Sequence, residues 1–265
     1  MSDTGVNGKI VIVTGASRGI GKAVALGLAR AGASVVVAAR SQERRPGLLG
    51  TIHDTVAEIE DAGGKALAVA CNVRDDDSIR ELVEKTLDEY GAVDVLINNA
   101  GIGGYTPFLQ LSVKEWDLTM DIDLRAPFVA CKAAVPIMIE QGGGSVINIS
   151  SHVATNIFSS TPRENSDAGI SLVGQAYGTA KAGLERFTWG LAVELGPHNI
   201  AVNALKPLRP VATEGFRAQR PDADFSTWAT PEDMVKAATY LAAQDARGLT
   251  GATVTAEELV RRLGL

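Results

Sequence analysis

Short apolar runs alternate with longer amphipathic segments along almost the whole chain, beginning with IVIVT at Ile10–Thr14. Runs of four to eight apolar, often β-branched residues predict buried strands, whereas apolar residues spaced three or four apart predict helices. The predicted strands are IVIVT, SVVVAA, ALAVACNV, VDVLINNAG, GGGSVINISS and IAVNALKP. Near the C-terminus, TGATVTAEEL is a last strand or a turn.

Helical segments separate these strands, and most of them end at glycine or begin with acidic residues, as helix termini favour. The predicted helices are Gly19–Ala31, TVAEIEDAGG, DDDSIRELVEKTLDEYG, a long region from Val113 to Glu140 interrupted near Pro127, Gln175–Leu195 and Thr230–Ala243. Continuous strand–helix alternation predicts an α/β fold with a parallel sheet between two helical layers. We expect one domain over residues 1–265, with no internal repeat or linker.

Three stretches lack either periodicity: Gln42–Gly50, Thr155–Val173 and Pro207–Thr230. The second and third follow the fifth and sixth strands. Because open α/β sheets bind ligands beyond the carboxyl ends of their strands, we expect these two stretches to border a site.

Composition narrows the function classes. The 265 residues carry a net charge of −6 and no long basic run, so nucleic acid and anionic membranes are poor candidate partners. The apolar runs are too short to cross a bilayer, and the polar N-terminus does not resemble a signal peptide. Cys71 and Cys131 could form one disulfide, but buried reduced thiols fit a chain of this size better, which favours a cytoplasmic location. The three histidines show no metal-ligand spacing, so we expect no metal.

The loop TGASRGIG at Thr14–Gly21 joins the first strand to the first helix. Gly15 allows a tight turn, and Gly19 and Gly21 allow a phosphate to approach the backbone N–H groups at the helix N-terminus. An ordinary strand–helix turn can have the same composition, and the spacing is not G-x-G-x-x-G. The flanking strand and helix favour a dinucleotide site.

The end of the second strand bears on which dinucleotide is bound. An acidic residue there would bind a ribose 2′-hydroxyl, but this chain has Ala39 followed by Arg40. Arg18 lies in the glycine loop. Two guanidinium groups without a carboxylate favour a 2′-phosphate, and hence NADP over NAD, although both arginines could instead be solvated surface residues.

Tyr177 and Lys181 stand four residues apart in QAYGTAKAG, so a helix places them on one face. A nearby ammonium should lower the pKa of the phenol from its usual value of about 10, which makes tyrosine usable as an acid or base. The pair could also lie on the rim of an ordinary amphipathic helix. It is offset from the apolar stripe of that helix, which comprises Ala176, Ala180, Leu184, Phe187 and Leu191.

Four motifs in this order resemble those of the short-chain dehydrogenase/reductase family: TGASRGIG, NNAG at Asn98–Gly101, the serine pair of ISS, and YGTAK. The resemblance covers nearly the full chain. It implies a Rossmann-like, doubly wound sheet of about seven parallel strands and hydride transfer between NADP(H) and an alcohol or carbonyl substrate. It also implies a homodimer or homotetramer, to which Phe187, Trp189 and Val193 could contribute an apolar face unless they belong to the core.

The resemblance also assigns roles to residues. Tyr177 would be the acid/base, Lys181 would hold the nicotinamide ribose, and Ser151 would bind the substrate oxygen. Ser150 is the less favoured serine, because it should point to the other face of its strand. The expected cofactor-binding residues are Gly15, Ser17, Arg18, Gly19, Ile20, Gly21, Arg40, Asn72, Val73, Asn99, Ala100, Gly101, Tyr177, Lys181, Pro207, Leu208, Val211 and Thr213.

The chain departs from the family pattern at several positions. Asp123 replaces the asparagine that helps hold a water in the proton relay and a kink in its helix. An ionised aspartate only accepts hydrogen bonds, so it could raise neighbouring pKa values or pair with Lys181, or its backbone carbonyl alone could suffice. Twenty-five residues separate Ser151 from Tyr177, about twice the usual number, which could form a lid, a specificity loop, an oligomer contact or a mobile surface loop.

Further departures concern the cofactor side. The family's Pro–Gly is Pro207–Leu208 here, so the backbone near the nicotinamide should take a different path. Asn72 replaces an acidic residue but could still accept a bond from the adenine amino group. The C-terminus lacks the usual Asp-Gly-Gly, and the long loop after Arg40 resembles hydroxysteroid-dehydrogenase-like proteins. These departures leave a second hypothesis beside the enzyme: a dinucleotide-binding module with impaired catalysis that acts as a sensor or binds partners.

Overall fold

The structure is a computed structural model that describes residues 5–44, 49–104, 106–155, 174–219, 222 and 224–265. Its strands are β1 Ile10–Thr14, β2 Ser34–Ala39, β3 Lys65–Ala70, β4 Val95–Asn98, β5 Gly144–Ile149, β6 Ile200–Lys206 and β7 Thr253–Thr255. Its helices are α1 Gly19–Arg30, α2 Ile52–Asp61, α3 Asp76–Tyr90, α4 Val113–Met120, α5 Ala126–Gln141, α6 Gln175–Leu195, α7 Glu214–Gln219, α8 Glu232–Ala242 and α9 Ala256–Leu263.

The seven strands form one sheet in the order β3-β2-β1-β4-β5-β6-β7, and all neighbouring pairs are parallel. The order reverses between β1 and β4, which is where a doubly wound sheet opens a crevice for ligands. The Rossmann-like fold expected from the sequence is therefore confirmed.

Helices cover both faces of the sheet. On one face, α1 and α8 pack on the strands through side chains that include Leu28 and Leu241. On the other face, α3 and α5 contribute Leu82 and Met138. Because both faces are covered, the central strands are mostly apolar on both sides rather than at alternate positions, as Val11, Ile12 and Val13 show.

The predicted long helix at 113–140 is interrupted near Pro127, as expected. The interruption is the π-helical turn Asp121–Arg125 between α4 and α5. Pro127 lies just after this turn, and because it lacks an N–H it leaves one carbonyl of the turn without a helical partner. The π-helical turn is the kink expected around position 123, and it carries Asp123 inward to complete burial.

Two helices were not predicted. α7 lies in the stretch expected to be irregular at 207–230, and it is too short for its periodicity to show. α9 follows β7 directly, where the sequence indicated a strand or turn; its first turn contains Glu257 and Glu258, as a helix N-terminus favours.

Several predicted strands overran their observed ends by a few residues. The overrun residues, among them Asn72, Asn99 and Ser151, form loops at the carboxyl edge of the sheet. Apolar and small residues continue past the last paired residue, so the sequence pattern alone does not mark where pairing stops.

None of the helices that the structure describes combines the length and apolar character needed to cross a membrane. Within the described ranges, no three His, Cys, Asp or Glu side chains come together as a metal site. Cys71 and Cys131 are free and buried, as the sequence indicated.

Candidate active site

Two adjoining clefts open at the carboxyl edge of the sheet. The larger, of about 780 Å³, lies over the glycine loop and the ends of β2 and β3. The smaller, of about 200 Å³, lies over the ends of β5 and β6. The clefts share lining residues, which are Ile20, Asn99, Gly101, Thr213 and Phe216. A ligand in one cleft can therefore reach a second ligand in the other.

The glycine loop is fixed against the loop after β4 by a small polar cluster. The Thr14 hydroxyl accepts hydrogen bonds from the N–H groups of Asn99 and Ala100, at 3.0 and 3.1 Å. The Asn99 amide donates back to the Thr14 carbonyl at 2.8 Å. Gly15 has φ +67°, and a Cβ there would lie 2.8 Å from the Ala100 Cα. The TGASRGIG and NNAG motifs are thus two sides of one packed contact.

The N-terminus of α1 is open to the larger cleft. Its N-cap, Arg18, makes no side-chain cap, and its first turn contains no acidic residue. Such a terminus presents unsatisfied N–H groups and a partial positive charge, which together attract an anion. The Gly19 N–H meets a distant carboxylate, Oε1 of Glu214, at 2.7 Å.

Basic side chains flank the end of β2. The Arg18 guanidinium donates to the Ser41 hydroxyl at 2.6 Å, and Arg18, Arg40 and Ser41 all line the larger cleft. Glu43 is the acidic residue among the described lining residues. Positive charge therefore predominates where a dinucleotide's adenosine ribose would lie.

At the far end of the larger cleft lie Asn72 and Val73. Oδ1 of Asn72 accepts a long hydrogen bond from the Arg74 N–H at 3.4 Å, which leaves a lone pair for a ligand. Cys71 also lines this end, but burial raises the pKa of its thiol to about 11, so it is not a nucleophile at neutral pH.

The smaller cleft brings together Ser151 and Tyr177, which are far apart in the chain. Ser151 follows β5 and caps a short 3₁₀ turn by accepting from the Val153 N–H at 3.4 Å. Tyr177 lies in the first turn of α6, and its phenol is hydrogen-bonded with the Ser151 side chain. Two hydroxyl groups thus converge on one point of the cleft.

Lys181 lies one turn after Tyr177 on the same face of α6, as the spacing predicts. Its Nζ is 5.7 Å from the Tyr177 ring centroid and donates to the Ile149 carbonyl at 2.9 Å. It also forms a buried ion pair with Oδ1 of Asp123 at 3.1 Å. Two of the roles left open for Asp123 therefore occur together: it pairs with Lys181, and its charge raises the pKa of Tyr177.

Asp123 is held on its other side by the loop after β4. Its Oδ2 accepts from the Ile102 N–H at 3.1 Å. Burial raises the pKa of this carboxyl, while Lys181 and the Ile102 N–H act in the opposite direction. A Cβ at Gly101 would lie only 2.6 Å from Oδ1 of Asp123, so the glycine of NNAG is needed for this pair to fit.

The pKa of Tyr177 departs from the sequence-based expectation. Burial raises it well above the usual range for tyrosine, and the charge of Asp123 raises it further, while the Ser151 hydrogen bond lowers it. The expectation of a lowered value was wrong for the protein without a ligand, because it left out the burial of the phenol, which has the largest effect, and the charge of Asp123.

Ser150, the less favoured serine, also lines the smaller cleft. Its hydroxyl donates to Oε1 of Glu185 at 2.7 Å, and Lys206 donates to the same oxygen at 3.0 Å. This hydroxyl is therefore engaged in a buried polar cluster beneath the cleft.

The segment after β6 contributes part of the expected set. Pro207, Val211 and Thr213 line the smaller cleft. Leu208 lines neither cleft within the described residues; its side chain is half-exposed, and its N–H donates to Oε2 of Glu257 at 2.9 Å. The structure thus places Leu208 outside the group of residues with which the sequence associated it.

His152, Phe216 and Trp228 also line the smaller cleft, although none of them was named as a site residue. Burial and the charge of Lys206 lower the pKa of His152, whereas Glu257 raises it. The Phe216 and Trp228 rings meet edge to face at 5.3 Å. Phe216 and Trp228 belong to the stretch 207–230 that we expected to border a site, and His152 directly follows Ser151. Most of the long connection between Ser151 and Tyr177, at 156–173, lies outside the described residues.

The chain is similar in sequence to known proteins. The family model described as short chain dehydrogenase matches residues 9–224. The chain is 35% identical over 263 residues to 2-dehydro-3-deoxy-D-gluconate 5-dehydrogenase of Formosa agariphila, covering 94% of this chain and 91% of that protein. It is 34% identical to human hydroxysteroid dehydrogenase-like protein 2, covering 97% of this chain but only 59% of that longer protein.

The fold is also similar to that of a solved structure. A Beutenbergia cavernae protein described as an NAD(P)-dependent gluconate 5-dehydrogenase, which contains NADP at low occupancy, superposes with a TM-score of 0.79 at 30% identity, with 96% of this chain and 97% of that chain covered.

Proposed function

This chain belongs to the short-chain dehydrogenase/reductase family and is an enzyme of that family, and from that premise we propose that it interconverts an alcohol and a carbonyl with NADP(H). The observation that carries the proposal is the meeting of Ser151, Tyr177 and Lys181 in a cleft that adjoins the glycine loop.

The residues of the larger cleft fit a dinucleotide. Its volume of about 780 Å³ lies within the usual range for cofactor sites. Gly19 has φ +60°, a backbone conformation that favours glycine, and it is the first residue of α1. The helix N-terminus would hold the diphosphate. Asn72 and Val73 would hold the adenine, and Asn99, Ala100, Gly101 and Lys181 would hold the nicotinamide ribose side.

Arg18, Arg40 and Ser41 support NADP rather than NAD, because guanidinium groups bind a phosphate in two-point geometry. Glu43 is the feature that favours NAD, since a carboxylate could accept from a 2′-hydroxyl. Arg40→Ala should raise the KM for NADP at least tenfold and leave the KM for NAD within about twofold. Arg44→Ala, which changes an exposed arginine paired with Asp54, is the matched control.

The bound nicotinamide supplies or accepts the hydride at its C4 position. Tyr177 donates a proton to the carbonyl oxygen during reduction and accepts it during oxidation. Ser151 donates a hydrogen bond to the same oxygen, where negative charge develops in the transition state. The Lys181 ammonium places a positive charge near Tyr177, and the Asp123 carboxylate partly neutralises that charge through the 3.1 Å ion pair.

The substrate is a small molecule, as in dehydrogenases generally. Two relatives indicate the range of candidate substrates. One is named 2-dehydro-3-deoxy-D-gluconate 5-dehydrogenase, and the other is named hydroxysteroid dehydrogenase-like protein 2. The described wall of the smaller cleft combines His152 and Ser151 with Phe216 and Trp228. We therefore propose a carbonyl compound with both a polar and an apolar part, and not a nucleic acid or membrane lipid surface.

The test measures the rate of NADPH oxidation with a panel of ketones, aldehydes, quinones and hydroxylated keto acids. Tyr177→Phe should lose at least 100-fold in kcat while keeping its affinity for NADPH, because only the proton donor is removed. Tyr240→Phe makes the same change on α8, outside both clefts, and should match wild type. Equal turnover by Tyr177→Phe would refute the proposal. Turnover only by Asp123→Asn would favour the impaired binding module instead.

We further propose a cytoplasmic homodimer or homotetramer. Two free buried thiols fit a reducing compartment. Trp189 and Val193 on α6, 54% and 64% exposed, and Phe128 on α5, 50% exposed, form an apolar face suited to a second copy. Light scattering after gel filtration should give two or four chains per particle, and Val193→Asp should give one.

A further inference from the structure

The contact between Gly19 and Glu214 joins two distant parts of the chain at the open end of α1. Oε1 of Glu214 accepts the Gly19 N–H at 2.7 Å. Glu214 is the first residue of α7, in the segment after β6. No residue of α1 itself caps this end, since Arg18 makes no side-chain cap and the first turn has no acid. The Glu214 carboxylate, which comes from a distant part of the sequence, therefore supplies the negative charge that the residues of α1 do not provide.

The same N–H is one on which the proposed function places the cofactor diphosphate. A helix N-terminus binds an anion through a few N–H groups, and two anions cannot occupy one N–H donor together. We propose that Glu214 is an internal competitor of the cofactor: its carboxylate occupies the phosphate-binding end of α1 in the free enzyme and leaves when NADP binds. This inference rests on the proposed function for the identity of the ligand.

The surroundings of Glu214 suit a contact that breaks and re-forms. The side chain is exposed, so the carboxylate can return to solvent without a burial cost. Within the described part of the chain, no lysine or arginine forms an ion pair with it. The hydrogen bond is charge-assisted, which makes it strong enough to compete without blocking a ligand that offers two phosphates.

Release of the Glu214 carboxylate from Gly19 should affect the catalytic cleft through the residues next to Glu214 in the chain. Thr213 precedes it and Phe216 follows on α7, and both residues line both clefts. Phe216 in turn packs edge to face on Trp228 at 5.3 Å. When the carboxylate leaves Gly19, this hydrogen bond no longer connects α7, which carries Phe216 and its contact with Trp228, to the glycine loop. Cofactor binding should therefore precede productive binding of the carbonyl compound.

The test is direct binding, measured by calorimetry without turnover. NADP⁺ and inorganic pyrophosphate are titrated separately into wild type, Glu214→Gln and Glu84→Gln. Both substitutions remove one negative charge, but Glu84 is exposed on α3 and lines neither cleft. If the carboxylate competes, Glu214→Gln should bind both ligands roughly 3- to 10-fold more tightly, the range expected for a charge at a helix terminus. Glu84→Gln should change either affinity less than twofold.

A second readout follows tryptophan emission. Pyrophosphate should change the emission of wild type, and this change should be absent in Trp228→Phe, because Trp228 contacts the ring carried by α7. A change of equal size in Trp228→Phe would overturn the link between Glu214 and the wall of the catalytic cleft.

The outcomes separate the two hypotheses. Equal affinities of wild type and Glu214→Gln, or equal tightening in Glu84→Gln, would overturn the competitor role and leave the proposed function standing. If NADP⁺ bound to none of the three proteins, the proposed function would fail, and the competitor role with it.

Discussion

Replacing Asp123 by asparagine should lower the pKa of Tyr177. Two effects act in the same direction: the carboxylate that raises the pKa is removed, and the Lys181 ammonium that it neutralised regains its full charge. A lower pKa stabilises the phenolate, which is the proton acceptor for alcohol oxidation. The rising limb of the oxidation profile, plotted as kcat/KM against pH, should therefore move to lower pH. The falling limb for carbonyl reduction, which needs the neutral phenol, should move the same way.

The magnitude follows from the geometry. A unit positive charge 5.7 Å from the Tyr177 ring centroid stabilises a phenolate by about 3 kcal/mol at an effective dielectric constant of about 20. That energy corresponds to about two pKa units. Because the wild-type protein retains a remnant of this attraction, we expect a fall of about one to two units. The ion pair at 3.1 Å is also lost, but asparagine keeps an oxygen for the lysine and the buried carboxylate no longer needs to be desolvated.

The assay is the pH dependence of kcat/KM in both directions, with a substrate from the turnover panel. An independent readout is the ultraviolet absorbance of tyrosinate during alkaline titration, taken as the difference from the same protein carrying Tyr177→Phe. Asp117→Asn makes the same chemical change at an exposed position of α4 and is the control. If both limbs stayed within about 0.3 units of wild type, Asp123 would not set the pKa of Tyr177 and the electrostatic reasoning would be refuted.

Three further changes test the packing that supports the site. Gly101→Ala should reduce kcat more than tenfold, because its Cβ would lie 2.6 Å from Oδ1 of Asp123; Gly104→Ala, with no atom within 4 Å, should not, and equal activities would contradict the crowding argument. Leu184→Ala, at a fully buried position, should lower the free energy of unfolding by about 3 kcal/mol in urea titrations. Leu109→Ala makes the same change at a position that is 95% exposed and should change this free energy by less than about 0.5 kcal/mol. Glu185→Gln should cost about 3 kcal/mol by removing the negative charge opposite Lys206, both side chains being only 10% exposed; the exposed Glu194→Gln on α6 is its control, and similar urea midpoints for the two would count against a stabilising pair.

The sequence by itself determined the architecture and the main chemical groups of the site. Strand–helix alternation gave the parallel sheet, because a helix or a buried strand imposes a short-range period that can be read without knowing its neighbours. α6 was predicted with its observed bounds, Gln175–Leu195, and the four-residue spacing of Tyr177 and Lys181 placed both on one face. Loop residues such as Gly15 were identified because their spacing relative to a strand and a helix carries the information.

Only the tertiary structure decided how these groups affect one another. The ion pair of Asp123 with Lys181 joins a π-helical turn to another helix. Burial of the phenol, and after it the charge of Asp123, reversed the expected direction of the Tyr177 pKa. The contact of Glu214 with Gly19 spans 195 residues. Spacing along the chain left the Asp123–Lys181 pair as one of several alternatives, and no sequence pattern indicated the Glu214–Gly19 contact. Electrostatic interactions depend on distance and burial in space, which are set when the sheet brings the ends of its strands to one edge, and not by spacing along the chain.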